Sequence, residues 1–204
     1  MRIGLEQLPM MPMLRFVFLC LCFSVSRFAC AAAVELRETG QQHCYSPSGI
    51  ELASCAGTLQ DGDLLAGATW PTPRFIRGSG PESACMIDRL TGLMWIRKPM
   101  ISSMYWQSAI DIVLTLDMCG HTDWRVPNLN EMFSLVNFDV PDSTQWLIRQ
   151  GFDSNILGQV CHWTSTTVGD STSFAMSVSL TDPNSYARDK DDYNCYFLPV
   201  RTIN

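Results

Sequence analysis

The amino-acid sequence predicts an α+β domain held together by disulfide bonds. Strand-like segments come first, amphipathic helical segments follow, and further strand-like segments close the chain, which is an order typical of this class. The 204 residues suit a single domain once an N-terminal leader is set aside. Six cysteines then remain, an even number that suits three bridges in an exported protein.

Residues 1–33 have the pattern of a signal peptide. Arg15 precedes the apolar run Phe16–Val25, and the alanines at 31–33 offer a small-residue cleavage site. A membrane anchor is the alternative interpretation, but a span needs roughly 20 apolar residues, and Arg27 interrupts this run. We expect cleavage after Ala33, export to the periplasm or cell surface, and no membrane span in the mature chain.

The expected mature chain is acidic. It would keep 11 of the 14 Lys and Arg residues and 19 of the 20 Asp and Glu residues, which gives a net charge of about −8. Nucleic acids and anionic lipids attract proteins with a positive field. We therefore expect neither of them to be the main partner.

The six remaining cysteines allow 15 pairings, so spacing alone leaves their connectivity open. We favour the bridges between sequence neighbours: Cys44 with Cys55, Cys85 with Cys119, and Cys161 with Cys195. Zinc is the competing interpretation, because histidines lie near several cysteines. However, the sequence contains no Cys-x-x-Cys pair, and oxidation competes with metal binding in an exporting compartment. We expect no metal and no cofactor.

Two regions are predicted within the mature chain. Residues 34–80 are rich in Gly, Pro, Ser and Thr and predict an irregular N-terminal arm laid against the body, which spans residues 81–204. The body opens with Ala84–Asp88 and Leu93–Arg97, two short apolar segments separated by a turn that contains glycine. This pattern predicts a β-hairpin.

Two main helices are expected after the hairpin. The first is capped by Ser102 or Ser103 and reaches about Met118, with apolar residues at the spacing of one buried face. The second begins at Asn128, and Glu131 three residues later completes a capping-box pattern. These helices would pack against the sheet.

The rest of the body predicts a short helix and then strands. The helix covers Ser143–Gln150 and stops before a glycine. Strands are expected at His162–Thr167, Ser173–Leu180 and Tyr193–Val200, and the polar stretch Asp182–Asp192 is expected to link the last two. The middle strand alternates apolar and small residues, as half-buried antiparallel strands do.

Several motifs of the body resemble one bacterial family. The motifs are Leu90–Trp95 (LTGLMW), Asp123–Asn128 (DWRVPN) with Glu131, Trp163–Thr166 (WTST), and Val200–Arg201. Their order and spacing resemble the domain at the C-terminus of the Legionella collagen-like adhesin. The loop Gln60–Pro71 is also similar to a lead-in of exported members.

The resemblance implies a C-type-lectin-like fold in an exported adhesion or binding protein, with two main helices against a twisted antiparallel sheet. The best-known member is an adhesin that binds sulfated polysaccharide. This chain departs from that adhesin in two ways: it has no collagen-like Gly-x-y tract, and its expected net charge of about −8 opposes a polyanionic ligand.

Five residues are candidate ligand contacts: Arg125, His162, Trp163, Ser165 and Tyr186. Aromatic rings beside hydroxyl groups suit a sugar, because ring faces pack on C–H groups while polar atoms bond its hydroxyls. The structural alternative places Trp163 in the core and pairs Arg125 with a neighbouring carboxylate. We expect the candidates to lie on loops at one end of the sheet.

No catalytic residue is predicted. The sequence has no Gly-x-Ser-x-Gly elbow, no His-Glu-x-x-His pair and no glycine-rich phosphate loop. We therefore expect a non-enzymatic binding or adhesion domain that recognises a glycan or a cell-surface protein. A structural component of the cell envelope is the alternative hypothesis, and an enzyme is a distant third.

Overall fold

The computed structural model describes residues 36–97, 102–154 and 161–203, which all belong to one compact unit, Glu35–Asn204. The predicted signal peptide lies outside the described residues. The described strands are β1 (Phe75–Arg77), β2 (Cys85–Asp88), β3 (Leu93–Ile96), β4 (His162–Thr167), β5 (Phe174–Val178), β6 (Ser185–Asp189) and β7 (Val200–Thr202). The described α-helices are α1 (Asp61–Leu64), α2 (Trp106–Val113), α3 (Leu129–Phe133) and α4 (Ser143–Arg149).

The first sheet has the strand order β1–β2–β3–β7 and is antiparallel throughout. The predicted hairpin is confirmed, because β2 pairs with β3 and places Asp88 opposite Leu93. Gly92 in its turn has a φ angle of 67°, which glycine adopts without strain. Strand β1 belongs to the predicted N-terminal arm, so the arm is not irregular throughout and shares a sheet with the body.

The second sheet has the order β4–β5–β6 and is also antiparallel. Strand β4 has the predicted bounds. The prediction of a polar link at Asp182–Asp192 is wrong, because part of that stretch forms β6. Strand β6 is an edge strand with mostly exposed side chains, so its sequence carries no apolar alternation that would reveal it.

The predicted strand Tyr193–Val200 is wrong as well. Strand β7 starts only at Val200 and joins the first sheet, beside β3. The preceding residues form isolated bridges, Cys195 with Met104 and Tyr196 with His162. This stretch is apolar because it is buried while it crosses from the second sheet to the first.

The first predicted helix is shorter than expected. Helix α2 begins at Trp106, and neither Ser102 nor Ser103 caps it. The Met104 N–H donates to the Cys195 carbonyl at 3.0 Å, which holds the chain extended just before the helix. The helix therefore cannot start at the predicted serines.

Helices α3 and α4 begin where the sequence predicts. Asn128 and Glu131 make both hydrogen bonds of the capping box, but α3 has only five residues. Asp142 caps α4, which ends at Arg149. The structure thus has short helices and two sheets where the sequence predicts two main helices and one sheet.

Two apolar clusters occupy opposite sides of the second sheet. One cluster joins Ala109 of α2 to Trp163 of β4. The other joins Met132 of α3 to Trp95 of β3 and Val178 of β5. Because both faces of the second sheet are covered at the start of β4, His162, Trp163 and Thr164 are buried, whereas Ser165 and Thr167 are exposed.

Disulfide bonds join Cys44 to Cys55, Cys85 to Cys119, and Cys161 to Cys195. These are the neighbour pairs that the sequence favours. Within the described ranges, no helix is both long enough and apolar enough to cross a membrane. The same ranges contain no group of three or more His, Cys, Asp or Glu side chains placed to hold a metal ion.

Candidate binding cleft

Arg125 forms a fork with Glu131. Its two terminal nitrogens each lie 2.6 Å from a different carboxylate oxygen of Glu131, and this hydrogen bonding raises the pKa of Arg125. The Glu131 carboxylate also accepts from the Asn128 backbone N–H at 2.8 Å. Arg125 therefore supports the start of α3.

His162 and Trp163 are wholly buried in β4, each with 0% of its surface exposed. The Trp163 indole N–H donates to the Met104 carbonyl at 2.8 Å. Neither side chain has surface to offer a ligand, because α2 and α3 both contact β4. The structural interpretation of Trp163 as a core residue is the one the geometry supports.

Ser165 and Tyr186 are exposed but lie apart. The Ser165 hydroxyl donates to the Pro127 carbonyl at 3.3 Å, beside the segment that carries Arg125. Tyr186 lies on β6, across β5 from β4, and its hydroxyl donates to Asp182 at 3.0 Å, which raises the pKa of Tyr186. The five predicted residues therefore do not form one exposed surface.

A cleft of about 640 Å³ opens instead between the N-terminal arm and the body, within the size range of small-molecule sites. The arm supplies Glu38, Gly40, Gln41, Gln42, Leu65, Thr69, Trp70, Pro71, Thr72, Pro73 and Arg74. The body supplies Asn137, Asp139, Val140, Trp146 and Gln150. We call this feature the arm–body cleft.

A pair of tryptophans forms the aromatic part of the arm–body cleft. The ring centroids of Trp70 and Trp146 lie 5.3 Å apart, with 43° between the ring planes. The Trp70 indole N–H donates to the Glu38 carbonyl at 2.9 Å, which fixes that ring. Trp146 is carried by α4. Both side chains are partly exposed, so part of each ring is open to a ligand.

Arg74 lies beneath the tryptophans and is only 3% exposed. Its guanidinium carbon lies 4.4 Å from the centre of the Trp70 ring, a cation–π arrangement. The guanidinium also donates to both carboxylate oxygens of Asp88, at 3.0 and 2.8 Å, and to the Ser134 carbonyl at 2.6 Å. This network joins the floor of the cleft to β2 and to Ser134, the residue that follows α3.

Hydrogen bonds to Asp139 connect the arm to the body. One of its carboxylate oxygens accepts from the backbone N–H groups of Gln42 and His43, at 2.7 and 3.0 Å, and lies 2.7 Å from the His43 ring nitrogen Nδ1. The hydrogen bond to Asp139 raises the pKa of His43. The next residue, Cys44, is in the disulfide with Cys55. The arm side of the cleft is thus held by a side chain of the body and by its own bridge.

The family model of the Lcl C-terminal domain matches residues 84–201. The chain belongs to this family. The resemblance of its motifs to the C-terminal domain of the Legionella collagen-like adhesin is therefore confirmed. A comparison with curated proteins finds no match.

In this chain, the motifs of the Lcl C-terminal domain lie in strands, in a hairpin turn or just before a helix. Leu90–Trp95 runs through the hairpin turn into β3, and Asp123–Asn128 leads to the cap of α3. Trp163–Thr166 lies within β4, and Val200–Arg201 within β7. The motifs identify the fold of the family, and they do not line the arm–body cleft.

Sequence reasoning missed the cleft because its two halves are far apart in the chain. Trp70 and Trp146 are separated by 76 positions (146 − 70), and nothing local marks them as partners. The available signal was a tryptophan beside two prolines, Pro71 and Pro73, in the segment that is predicted to be an irregular arm and has no core pattern. An aromatic residue in such a segment needs a packing partner or a ligand.

Proposed function

We propose that this member of the Lcl C-terminal domain family is an exported, non-enzymatic adhesion domain that binds a glycan in the arm–body cleft. The observation that carries the proposal is the partly exposed Trp70–Trp146 pair, set among polar side chains in a cleft of about 640 Å³. Tryptophan faces pack on the C–H groups of sugar rings. Surrounding amides and carboxylates bond the hydroxyl groups.

The polar lining of the cleft suits a ligand rich in hydroxyl groups. Gln41, Gln42 and Gln150 contribute amide groups, and Glu38 and Asp139 contribute carboxylates. An amide both donates and accepts, as a sugar hydroxyl does. Because Arg74 is bonded to Asp88 beneath the tryptophans and Asp139 is bonded to the arm, the cleft is preformed, which reduces the entropy cost of binding.

The proposal includes a C-type-lectin-like arrangement of the fold. Family membership supports it, and so does the pairing of β3 with β7, which brings the first and last strands of the body into one sheet. Export is supported by the disulfide bonds, because such bonds persist in oxidising compartments.

A glycan array probed with the secreted, oxidised protein tests the proposal. Trp146→Ala should abolish the array signals, whereas Trp146→Phe, which keeps an aromatic face, should retain part of them. Tyr105→Ala is the matched control, because Tyr105 is 46% exposed and pairs with Tyr193 away from the lining of the cleft. Circular dichroism confirms that each variant is folded. Glycan binding that survives Trp146→Ala would refute the assignment of the cleft.

A further inference from the structure

We propose that the arm–body cleft selects neutral or amine-bearing sugars and rejects sulfated and carboxylated ones, and that Glu38 of the arm is the residue that sets this selectivity. This inference rests on the proposed function, because it assumes that the cleft binds a glycan. It deepens that function by stating the charge class of the ligand.

Arg74 is the one basic side chain among the described residues that line the cleft. Its charge is already balanced by Asp88, which is 0% exposed and accepts two hydrogen bonds from it. The remaining terminal nitrogen, Nη1, is buried and has no hydrogen-bond partner among the described residues. A bulky sulfate therefore cannot reach the guanidinium unless the tryptophan rings that cover it move.

The carboxylates of the cleft remain available. One oxygen of Glu38 accepts from the Thr69 hydroxyl at 3.0 Å. One oxygen of Asp139 accepts from the backbone N–H groups of Gln42 and His43. Within the part of the chain that the structure describes, the second oxygen of each accepts no hydrogen bond. These oxygens suit the hydroxyl or ammonium groups of a sugar and repel an anion.

Basic groups near the arm–body cleft do not make the net charge of its lining positive. His43 lies 2.7 Å from Asp139 and 3.9 Å from Glu51, so the single charge of its protonated form faces two carboxylates and these three groups together stay negative. Arg89 donates to the Pro73 carbonyl at 3.1 Å, and Arg37 interacts electrostatically with Arg74 and Asp88, but neither of them lines the cleft. The lining is therefore acidic as a whole, like the expected mature chain.

Glu38 differs from Asp139 because it lies outside residues 84–201, which the family model matches. Its backbone carbonyl holds the Trp70 indole, while its side chain lines the cleft. The arm thus adds to the body both an aromatic face and a charge. Glu38 thus adds a carboxylate of the arm to that of Asp139 in the matched domain, which also supplies the scaffold and Trp146.

The test is a glycan array on which each oligosaccharide is printed in neutral, amine-bearing, and sulfated or carboxylated forms. Only signals lost in Trp146→Ala are counted. We expect the neutral or amine-bearing forms to bind at least tenfold more tightly than the anionic forms. Glu38→Gln keeps the side-chain shape, and it should reduce this preference at least threefold. Asp170→Asn is the matched control, because Asp170 is exposed in the connection between β4 and β5 and does not line the cleft.

The outcomes separate the two proposals. Anionic forms that bind more tightly, and that depend on Trp146, overturn the selectivity and leave the cleft as the binding site. An equal effect of Glu38→Gln and Asp170→Asn overturns the role of Glu38, because it shows a long-range effect of charge. An array without any signal that depends on Trp146 refutes the proposed function itself.

Discussion

At the scale of single residues, Arg74 connects the cleft to the core. It is stacked on Trp70, and it is paired with Asp88 in a region where both side chains are almost fully buried. Removing one partner of such a pair leaves an uncompensated charge in a medium of low polarity, which costs about 3–5 kcal/mol. The stability of the domain and the shape of the cleft therefore depend on the same contact.

Asp88→Asn tests this dependence. We expect it to lower the free energy of unfolding by about 3–5 kcal/mol, measured by denaturant titration of the oxidised protein. Asp192→Asn is the control, because Asp192 pairs with Arg188 at 3.6 Å on the surface. That change should cost about 1 kcal/mol or less. Equal losses in the two variants would contradict the structural role of Arg74.

Gly40 permits the close approach of the arm to Trp70. A Cβ atom at this position would lie 2.6 Å from the Trp70 ring and 2.8 Å from the Asn137 side-chain oxygen, and the φ angle is +88°. Gly40→Ala should therefore displace the ring and destabilise the domain by about 2–4 kcal/mol, through strain and overpacking together.

Gly49 offers a matched control for Gly40. Its φ angle is +79°, but nothing lies within 4 Å of an added Cβ. Gly49→Ala should show only the backbone strain, about 1–2 kcal/mol. Tryptophan fluorescence should shift in Gly40→Ala and not in Gly49→Ala. Identical spectra in the two variants would show that the arm does not position Trp70.

At the scale of elements, α3 depends on its capping box because it has only five residues. Asn128→Ala should lower the free energy of unfolding by about 1 kcal/mol, since one backbone N–H loses its acceptor. Ser103→Ala should have almost no effect, because α2 begins three residues later and Ser103 does not cap it. A larger loss in Ser103→Ala than in Asn128→Ala, measured by thermal unfolding, would reverse this assignment.

Elements with a strong local signal were predictable, and elements without one were not. The capping box of α3 and the glycine turn between β2 and β3 are encoded within a few residues. Strand β6 has no such signal, because a polar edge strand and a polar loop have similar sequences. Helix α2 begins later than predicted because Met104 forms a β-bridge with Cys195. These two residues are distant in the chain, so local patterns could not show the bridge.

At the scale of the whole molecule, the disulfides constrain segments of different length. The bridges Cys85–Cys119 and Cys161–Cys195 each span 34 positions, whereas Cys44–Cys55 spans 11. Restriction of the unfolded chain contributes about 4 kcal/mol for the longer loops and about 3 kcal/mol for the shorter one. The longer bridges lie in the body, and the shorter one closes a loop of the arm.

Paired serine replacements test this order. Replacing Cys161 and Cys195 together should destabilise the domain more than replacing Cys44 and Cys55 together, as measured by denaturant unfolding. The second variant should keep the body folded and should weaken the contact of the arm, which hydrogen exchange of residues 36–74 would detect. Unfolding of the body in that variant would show that the arm bridge supports the whole unit.

The local features of this protein follow from its sequence: the hairpin, the capped start of α3, the bounds of β4 and the motifs of its family. Each depends on residues close together in the chain. The burial of Trp163 and the contact between Trp70 and Trp146 in the cleft depend on the complete fold. The reason is physical: burial and long-range contact follow from the packing of all elements together, and no short pattern specifies that sum.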